Sequence, residues 1–290
     1  MDPLTRLRRV VARHARDGMT TTTIPRLSLF AATAPTEPVG DMAEPALALV
    51  VQGAKRTVLG DREFRYGAGD YLVASVGLPV TGAITQATRS APFLVAILRL
   101  DPTTVSTLLL QATPHPPAPV PDCGLAVSTA TPAMLDAAGR LVELLDRPRD
   151  AAALAPLYER ELLWLLLTGE QGALVRQIGL AGSHIHHLGQ AIGWIRAHYD
   201  QPLRIDELAA LSAMSPRTFH RQFRALTRMT PLGYQKRLRL HEARARLVAD
   251  PSDIAGVGYA VGYDSASQFS REYRRMFGSP PSRDTARPSG

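Results

Sequence analysis

The stretch IDELAALSAMSPRTFHRQFRALT, residues 205–227, decides how this chain is read. Ile205, Leu208, Ala209, Met214, Phe219 and Phe223 recur at intervals that bury one stripe on each of two short helices. The small residues Ala209 and Ala213 are expected to let those helices approach closely. Ser215 offers a hydroxyl N-cap, and Pro216 suits the first helical position, where a missing N–H costs nothing. The second helix therefore starts at Pro216. With Phe219 and Phe223 facing inward, its opposite face carries Arg217, His220, Arg221 and Arg224. A stripe of hydrogen-bond donors on such a helix is the form that meets phosphates and base edges in a DNA major groove.

The unit recurs in DIAGVGYAVGYDSASQFSREYRRMFG, residues 253–278. Ile205, Leu208, Ala209 and Met214 correspond to Ile254, Val257, Gly258 and Tyr263 at an offset of 49. After the turn, Phe219, Arg221, Phe223 and Pro231 correspond to Phe269, Arg271, Tyr273 and Pro281 at an offset of 50, so the second turn holds one extra residue. Its recognition helix, capped by Asp264 or Ser265, turns Phe269, Tyr273 and Phe277 inward and Ser267, Gln268, Arg271 and Arg275 outward. Between the units, PLGYQKRLRLHEARARLVAD (residues 231–250) starts with proline and continues with good helix formers. About 19 helical residues span ~28 Å at 1.5 Å each. Successive major-groove faces on one side of DNA lie ~34 Å apart, so a rigid connector of this length holds both recognition helices on one face of the duplex. Lys236, Arg237 and Arg239 on the connector, with Arg224, Arg274 and Arg275, are the candidates for phosphate contacts.

Charge is distributed accordingly. The 290 residues carry a formal net charge of +7. Residues 1–183 hold 17 basic and 17 acidic side chains, and residues 184–290 hold the other 16 and 9, so all the excess lies in the last third. A compact basic segment joined to a neutral one is the footprint of a DNA-binding domain fused to a unit that does not touch nucleic acid. The longest apolar runs, ALALVV, FLVAIL and LLWLLL, fall far short of the roughly 18–20 residues of a membrane span. The start MDPLTRLRRVVARHARDG is basic without an apolar core, which reads as no secretory signal and a cytoplasmic location. The single cysteine, Cys123, forms no internal disulfide and reads as a plain loop or core residue in a reducing compartment.

The N-terminal two thirds read differently. From Pro45 to Leu100, short apolar or alternating runs (ALALVVQG, KRTVLGDREFRYGAGDYLVAS, PVTGAITQAT) are punctuated by Gly, Pro and Asp, with Leu59-Gly60-Asp61-Arg62 a hairpin turn and Gly67 and Gly69 marking another. This spacing predicts a small β-sandwich or barrel able to enclose a ligand. The proline-rich TPHPPAPVP, residues 113–121, is expected to end it. Two helices follow as a pair, marked by Leu141, Leu144 and Leu145, then Leu157, Leu162, Leu163 and Leu166. They either close the domain's own core or serve a homodimer.

Metal chemistry is disfavoured, because no histidine lies between His14 and His115 and the strand-borne HxH of a metal-binding barrel is missing. SHIHH, residues 183–187, reads as a polar helix entrance rather than a metal site. Neither a GxSxG elbow nor a GxxxxGK[ST] loop occurs, so no cofactor, metal or catalytic residue is assigned and the chain is read as a non-enzyme.

Residues 192–283, through MSPRTFHRQFRALTRMTPLGYQKRLRLHEARARL and VGYDSASQFSREYRRMFGSPPSRD, resemble the AraC/XylS family of bacterial transcription regulators. A looser likeness to its AraC-type N-terminal barrel runs through PALALVVQGAK, YGAGDYLVASVGLPV, LAPLYERELLWLLLTGEQG and AIGWIRAHY. The resemblance implies an α+β chain. A cupin-like sensing barrel with a helical pair (1–130 and 131–183) precedes an all-α DNA-binding domain (184–290), with helix-turn-helix units at 205–227 and 253–277 joined by a helix at 231–249. It implies double-stranded DNA, a small-molecule effector and RNA polymerase as partners. Carried over by position, the base-reading residues are Arg217, His220 and Arg221, then Ser267, Gln268 and Arg271. Arg221 and Arg271 lead as bidentate contacts to guanine. Relatives often have Tyr-Arg where this chain has Trp164-Leu165, so a polar role of that pair is not carried over from the resemblance. The rival readings are a metal-dependent cupin enzyme with an accessory DNA-binding module and an effector-free constitutive regulator.

Overall fold

The computed structural model describes residues 2–111, 122–180, 183–250 and 252–284. Helix α1 (Pro3–His14) leads, capped by the Asp2 carboxylate, which accepts from the Thr5 N–H at 3.0 Å. Nine strands follow: β1 (Gly18–Thr21), β2 (Leu27–Ala32), β3 (Val39–Ala43), β4 (Ala46–Gln52), β5 (Ala54–Leu59), β6 (Arg62–Gly67), β7 (Asp70–Ala74), β8 (Leu78–Gln86) and β9 (Phe93–Arg99). Helix α2 (Pro102–Gln111) then leads towards β10 (Leu125–Thr129).

The strands form two antiparallel sheets, in the orders β1-β2-β9-β4-β7-β10 and β3-β8-β5-β6, joined by one hydrophobic core. The unit is cupin-like, but it is two sheets rather than a closed barrel. The turn at Gly60 is as expected: Leu59 pairs with Arg62, and Gly60 takes φ +62°, a conformation that favours glycine. The proline-rich run lies outside the described residues. The expectation that it ends the β unit is corrected by β10, which pairs with β7 from Leu125↔Ala74 to Thr129↔Asp70. Strands β1 to β3 also precede the region that reads as strand in the sequence.

Three helices stand where a pair was expected: α3 (Pro132–Glu143), α4 (Pro148–Thr168) and α5 (Gly172–Gly179), with a 3-10 turn at Leu144–Asp146. Leu162, Leu163 and Leu166 are buried, whereas Leu157 is 59% exposed and lies off the buried stripe. Two bidentate pairs fasten helix to neighbour: Arg6–Glu143 (2.5 and 2.7 Å) ties α1 to α3, and Arg26–Glu159 (3.0 and 2.9 Å) ties α4 to the start of β2. Glu159 is buried, so its partner is essential: an unpaired carboxylate there would cost several kcal/mol.

The last third is helical throughout: α6 (His184–Ala197), α7 (Ile205–Leu211), α8 (Pro216–Thr227), α9 (Pro231–Ala249), α10 (Ile254–Ala260), α11 (Ala266–Phe277) and α12 (Pro281–Asp284). Among the described residues no helix is long and apolar enough to cross a membrane.

The β unit and the first helix-turn-helix share one core. Phe219, Phe223, Leu226, Tyr234 and Leu238 belong to the same buried cluster as the sheets. The Tyr234 hydroxyl, fully buried, donates to the Gly77 carbonyl at 2.7 Å. The Gly124 N–H donates to the Leu226 carbonyl at 2.8 Å, Arg228 reaches the Asp122 carbonyl at 2.8 Å, and Arg196 grips Glu44 with two bonds. His241 of α9 points the Cε1 edge of its ring at Gly40 of β3, where a Cβ would overlap the imidazole.

The His241 site predicts a pH response. Burial pushes its imidazole down to about 4, against the pull of Asp41 and helped by Arg237 and Arg244; among the described residues its Nε2 has no hydrogen-bond partner. An unfolded histidine protonates near 6.5, so between that pH and about 4 the unfolded chain binds a proton that the folded chain refuses. Stability therefore falls as the pH drops through this window. This residue should cost the protein about 2 kcal/mol between pH 7 and pH 5. Urea denaturation at the two pH values should show a smaller loss for His241→Leu, and equal losses in the two proteins would refute the assignment.

Candidate nucleic-acid interface

Both helix-turn-helix units are built by the same local rules. In the first, the Ser215 hydroxyl accepts from the Thr218 N–H at 3.3 Å, with Pro216 opening α8. In the second, Ser265 rather than Asp264 is the cap, accepting from the Gln268 N–H at 3.4 Å, and Asp264 is the extra residue. Each turn passes through one left-handed residue at the same place. In the first this is Ala213 (φ +52°), in the second Gly262 (φ +91°). The following N–H closes back onto the preceding helix in both, Met214 to the Ala209 carbonyl at 2.9 Å and Tyr263 to the Gly258 carbonyl at 3.0 Å. Each recognition helix also ends on a left-handed residue, Arg228 (φ +56°) and Gly278 (φ +78°). Ala213 thus does not serve close helix approach: it is exposed and makes the turn. Ala209 is buried as expected, and its counterpart Gly258 touches the Phe269 ring.

The inward aromatic residues of both units are buried: Phe219 and Phe223 in α8, Phe269 and Tyr273 in α11. Phe277 is only half-buried, beside His241. On the outward face of α8, Arg217, His220, Arg221 and Arg224 are exposed, and none of the four is held in an ion pair among the described residues. On α11, Ser267, Arg271, Arg274 and Arg275 are exposed, while Gln268 is half-buried and its side-chain amide leans towards Glu272 at 3.4 Å. The β unit meets α8 at its C-terminal end and inner face, which leaves the stripe of donors open.

The connector α9 departs from expectation. Lys236 donates to Glu272 of α11 at 2.7 Å, and Tyr263 donates to the same carboxylate at 3.0 Å. Burial works against that carboxylate's charge, yet the bonds from Lys236, Tyr263 and Gln268 hold it below the usual range. Arg239 donates to three backbone carbonyls inside the domain. Arg237 is half-buried, and burial pushes its guanidinium down. The phosphate role expected for Lys236 and Arg239 is therefore corrected: periodicity places them on the connector, but their hydrogen bonds are spent within the fold.

Two further features bear on function. A groove of about 500 Å³ opens beside β5 and β6, lined by Lys55, Arg65, Tyr66, Asp70 and Thr85 among others. Burial pushes the Lys55 ammonium down, against the pull of Asp41, and raises the Tyr66 phenol to about 12 despite its 2.8 Å hydrogen bond with Thr57. The sequence gives no sign of this groove, because its lining comes from four separate strands and turns. The SHIHH segment opens α6, with the Ser183 hydroxyl accepting from the His186 N–H at 3.0 Å. Among the described residues no group of three or more metal-ligating side chains converges. Cys123 is buried.

A stability test follows from the first turn. A left-handed conformation costs an L-residue about 1–2 kcal/mol, and Ala213 has no packing to lose. Ala213→Gly should raise the unfolding free energy by about 0.5–1 kcal/mol in denaturant titration, the relief of strain outweighing the added unfolded-state entropy. A loss of stability would show that the turn is not strained.

A family profile described as the AraC-type transcriptional regulator N-terminus matches residues 23–174, and one described as a helix-turn-helix domain matches residues 208–287. The chain is 34% identical over 101 residues to the HTH-type transcriptional activator RhaS of Pectobacterium carotovorum, covering 35% of this chain and 36% of that protein. It is 30% identical over 145 residues to RhaS of Salmonella schwarzengrund, covering 49% and 51%. These matches span about a third to a half of the curated relatives' length. An apo ToxT variant from Vibrio cholerae shares the fold across 93% of this chain and 99% of its own, with a TM-score of 0.56 at 9% identity. Unsaturated fatty acid bound ToxT covers 89% and 94%, with a TM-score of 0.54 at 8% identity.

Proposed function

The chain belongs to the AraC-type transcriptional regulators, and from that premise we propose that it is a sequence-specific DNA-binding regulator that reads two successive major-groove segments with α8 and α11. The observation that carries this reading is the pair of recognition helices, each with its aromatic face buried and its cationic face open to solvent and without an ion pair among the described residues. Cations left without internal partners attract a polyanion at no cost in lost ion pairs. Arg217, His220 and Arg221, with Ser267, Gln268 and Arg271, face the bases; Arg224, Arg274 and Arg275, in the later turns of their helices, face phosphates. The protein acts by binding rather than by catalysis, with RNA polymerase as the machinery it influences.

The β unit is the sensing part. The groove beside Lys55 has the size of a small-molecule site, and Lys55, Arg56, Arg65 and Asp70 give it a largely charged, mainly cationic lining suited to a polar or anionic ligand. Occupancy there would reach DNA through the core that the sheets share with α8 and α9. The relatives called ToxT include a fatty-acid-bound form, which supports a small-molecule effector in this architecture.

Selection of bound sequences from random duplex DNA with the full chain, at near-physiological salt, should return two conserved blocks about one helical turn apart. Arg221→Ala and Arg271→Ala should each remove about 1–3 kcal/mol of discrimination at one base position, in separate blocks. Unchanged preference with only a general loss of affinity would reassign them to phosphates. Arg224→Ala and Arg274→Ala should instead weaken all sequences alike and lower the log–log salt slope by about one; a slope identical to wild type would place them off the DNA.

A further inference from the structure

Arg239 bonds both to the link that leads into the first helix-turn-helix and to the turn of the second. Its Nε donates to the Tyr199 carbonyl at 2.6 Å and its Nη2 to the Gln201 carbonyl at 3.1 Å, both in the link from α6 to α7 that leads into the first unit. Its Nη1 donates to the Gly262 carbonyl at 2.5 Å, in the turn of the second unit. The guanidinium also sits 6.0 Å from the centre of the Tyr263 ring. The α6–α7 link and the turn of the second unit meet beside it, since a Cβ on Gly262 would overlap the Asp200 carbonyl oxygen and crowd the Arg239 guanidinium. One turn earlier on α9, Gln235 donates to the same Gln201 carbonyl at 2.6 Å.

A straight helix between two units fixes their separation along its axis. It does not by itself fix how far the second unit is rolled about that axis: the second unit rests on α9 through its own small core, Leu240, Ala243 and Leu247 against Val261, Tyr263, Phe269 and Tyr273, and through the ion pair of Lys236 with Glu272, a flexible lysine that can follow a small roll. Non-directional apolar contact tolerates such sliding better than hydrogen bonds do. A planar guanidinium whose three nitrogens are committed to carbonyls of the link before the first unit and of the turn in the second does not tolerate it, because a roll would break bonds and leave part-buried carbonyls unsatisfied.

We propose that Arg239, with Gly262 against Asp200, is a positioning lock that fixes the second helix-turn-helix relative to the first and so sets the base-pair separation at which the protein reads its two blocks. The inference rests on the two-block DNA-reading function proposed above. On DNA, each added base pair moves a block by about 3.4 Å and rotates it by about 34°, which a locked pair of recognition helices cannot follow. A lysine would not replace this arginine, since a single ammonium cannot span the fan of carbonyls.

The test uses the full chain and the duplex it selects, with the spacer between blocks lengthened or shortened by one base pair. The wild type should lose about 30-fold or more in affinity on either change, the equivalent of one or two mismatched positions. Arg239→Met, Arg239→Lys and Gly262→Ala should bind the original duplex about 3- to 10-fold more weakly, yet lose less than about 5-fold on the spacer changes, with the salt slope unchanged. An undiminished spacing penalty in these variants overturns the lock. If in addition Arg239→Met lowers the salt slope by about one while Arg239→Lys restores it, Arg239 is a phosphate contact instead.

A DNA-free measurement separates failure of the lock from failure of the DNA-reading function. Spin labels at Arg217→Cys and Ser267→Cys, in a Cys123→Ser background, should give a narrow inter-label distance distribution that broadens on Arg239→Met. A distribution that stays narrow overturns the lock whatever the DNA results. A wild type that selects no sequence while the distribution does broaden overturns the DNA reading and leaves the joint standing. Gly262→Ala and Arg239→Lys carry the comparison if Arg239→Met fails to fold.

Discussion

Everything in the last third of the chain depends on α9 being one uninterrupted helix with no idle face. At about 100° per residue, Tyr234, Leu238 and His241 fall on one side, Gln235, Arg239 and Arg246 on a second, and Lys236, Leu240, Ala243 and Leu247 on a third. The first side meets the β unit and the core of the first helix-turn-helix. The second grips the α6–α7 link through Gln201, Tyr199 and the Tyr199 hydroxyl. The third builds the core of the second unit and pairs with Glu272. Breaking the helix would separate all three at once.

This arrangement makes the two repeats unequal partners. The first shares a core with the sheets and takes left-handed turns at Ala213 and Arg228, residues that adopt them only at some cost. Contacts from the β unit bear on one of these: Arg228 bonds Asp122, and its carbonyl crowds against Gly60 of the β5–β6 turn. The second unit uses glycine at both positions and carries a smaller core of its own. A change in the β unit is therefore felt by direct contact at the end of α8 and along α9, and reaches the second unit through α9 and through the contact of Asp200 with Gly262.

The legible parts of the fold were those whose signals are local. Ser215, Pro216 and the i, i+4 aromatic pair Phe219 and Phe223 announce α8 within a dozen residues, and the offset to Phe269 and Tyr273 repeats the announcement. Gly60 likewise marks its hairpin. Strands β1 and β3 were illegible because neither buries a residue fully, and β2, although its burial alternates strictly, has in LSLFAA a single polar residue to mark that alternation. Strand β10 was missed because its pairing with β7 spans more than fifty residues. The connector misled for a related reason, since a cation's helical phase says which way it points and nothing about whether a carbonyl is waiting there.

By itself, then, the sequence determined the two recognition helices, the cap of the first, the exposed arginines of both and the helix between them, because capping and periodicity act over one or two turns and need no distant partner. Only the tertiary structure decided which cations are free and which are spent. Arg221 and Arg239 are both arginines on amphipathic helices, and they differ only in what the folded chain brings within 3 Å. It also decided that the first unit is joined to the sheets while the second is joined to the first, because those contacts link residues far apart in the chain, such as Gly77 with Tyr234 and Gly262 with Asp200. Partners separated by so much chain leave no pattern in either segment alone.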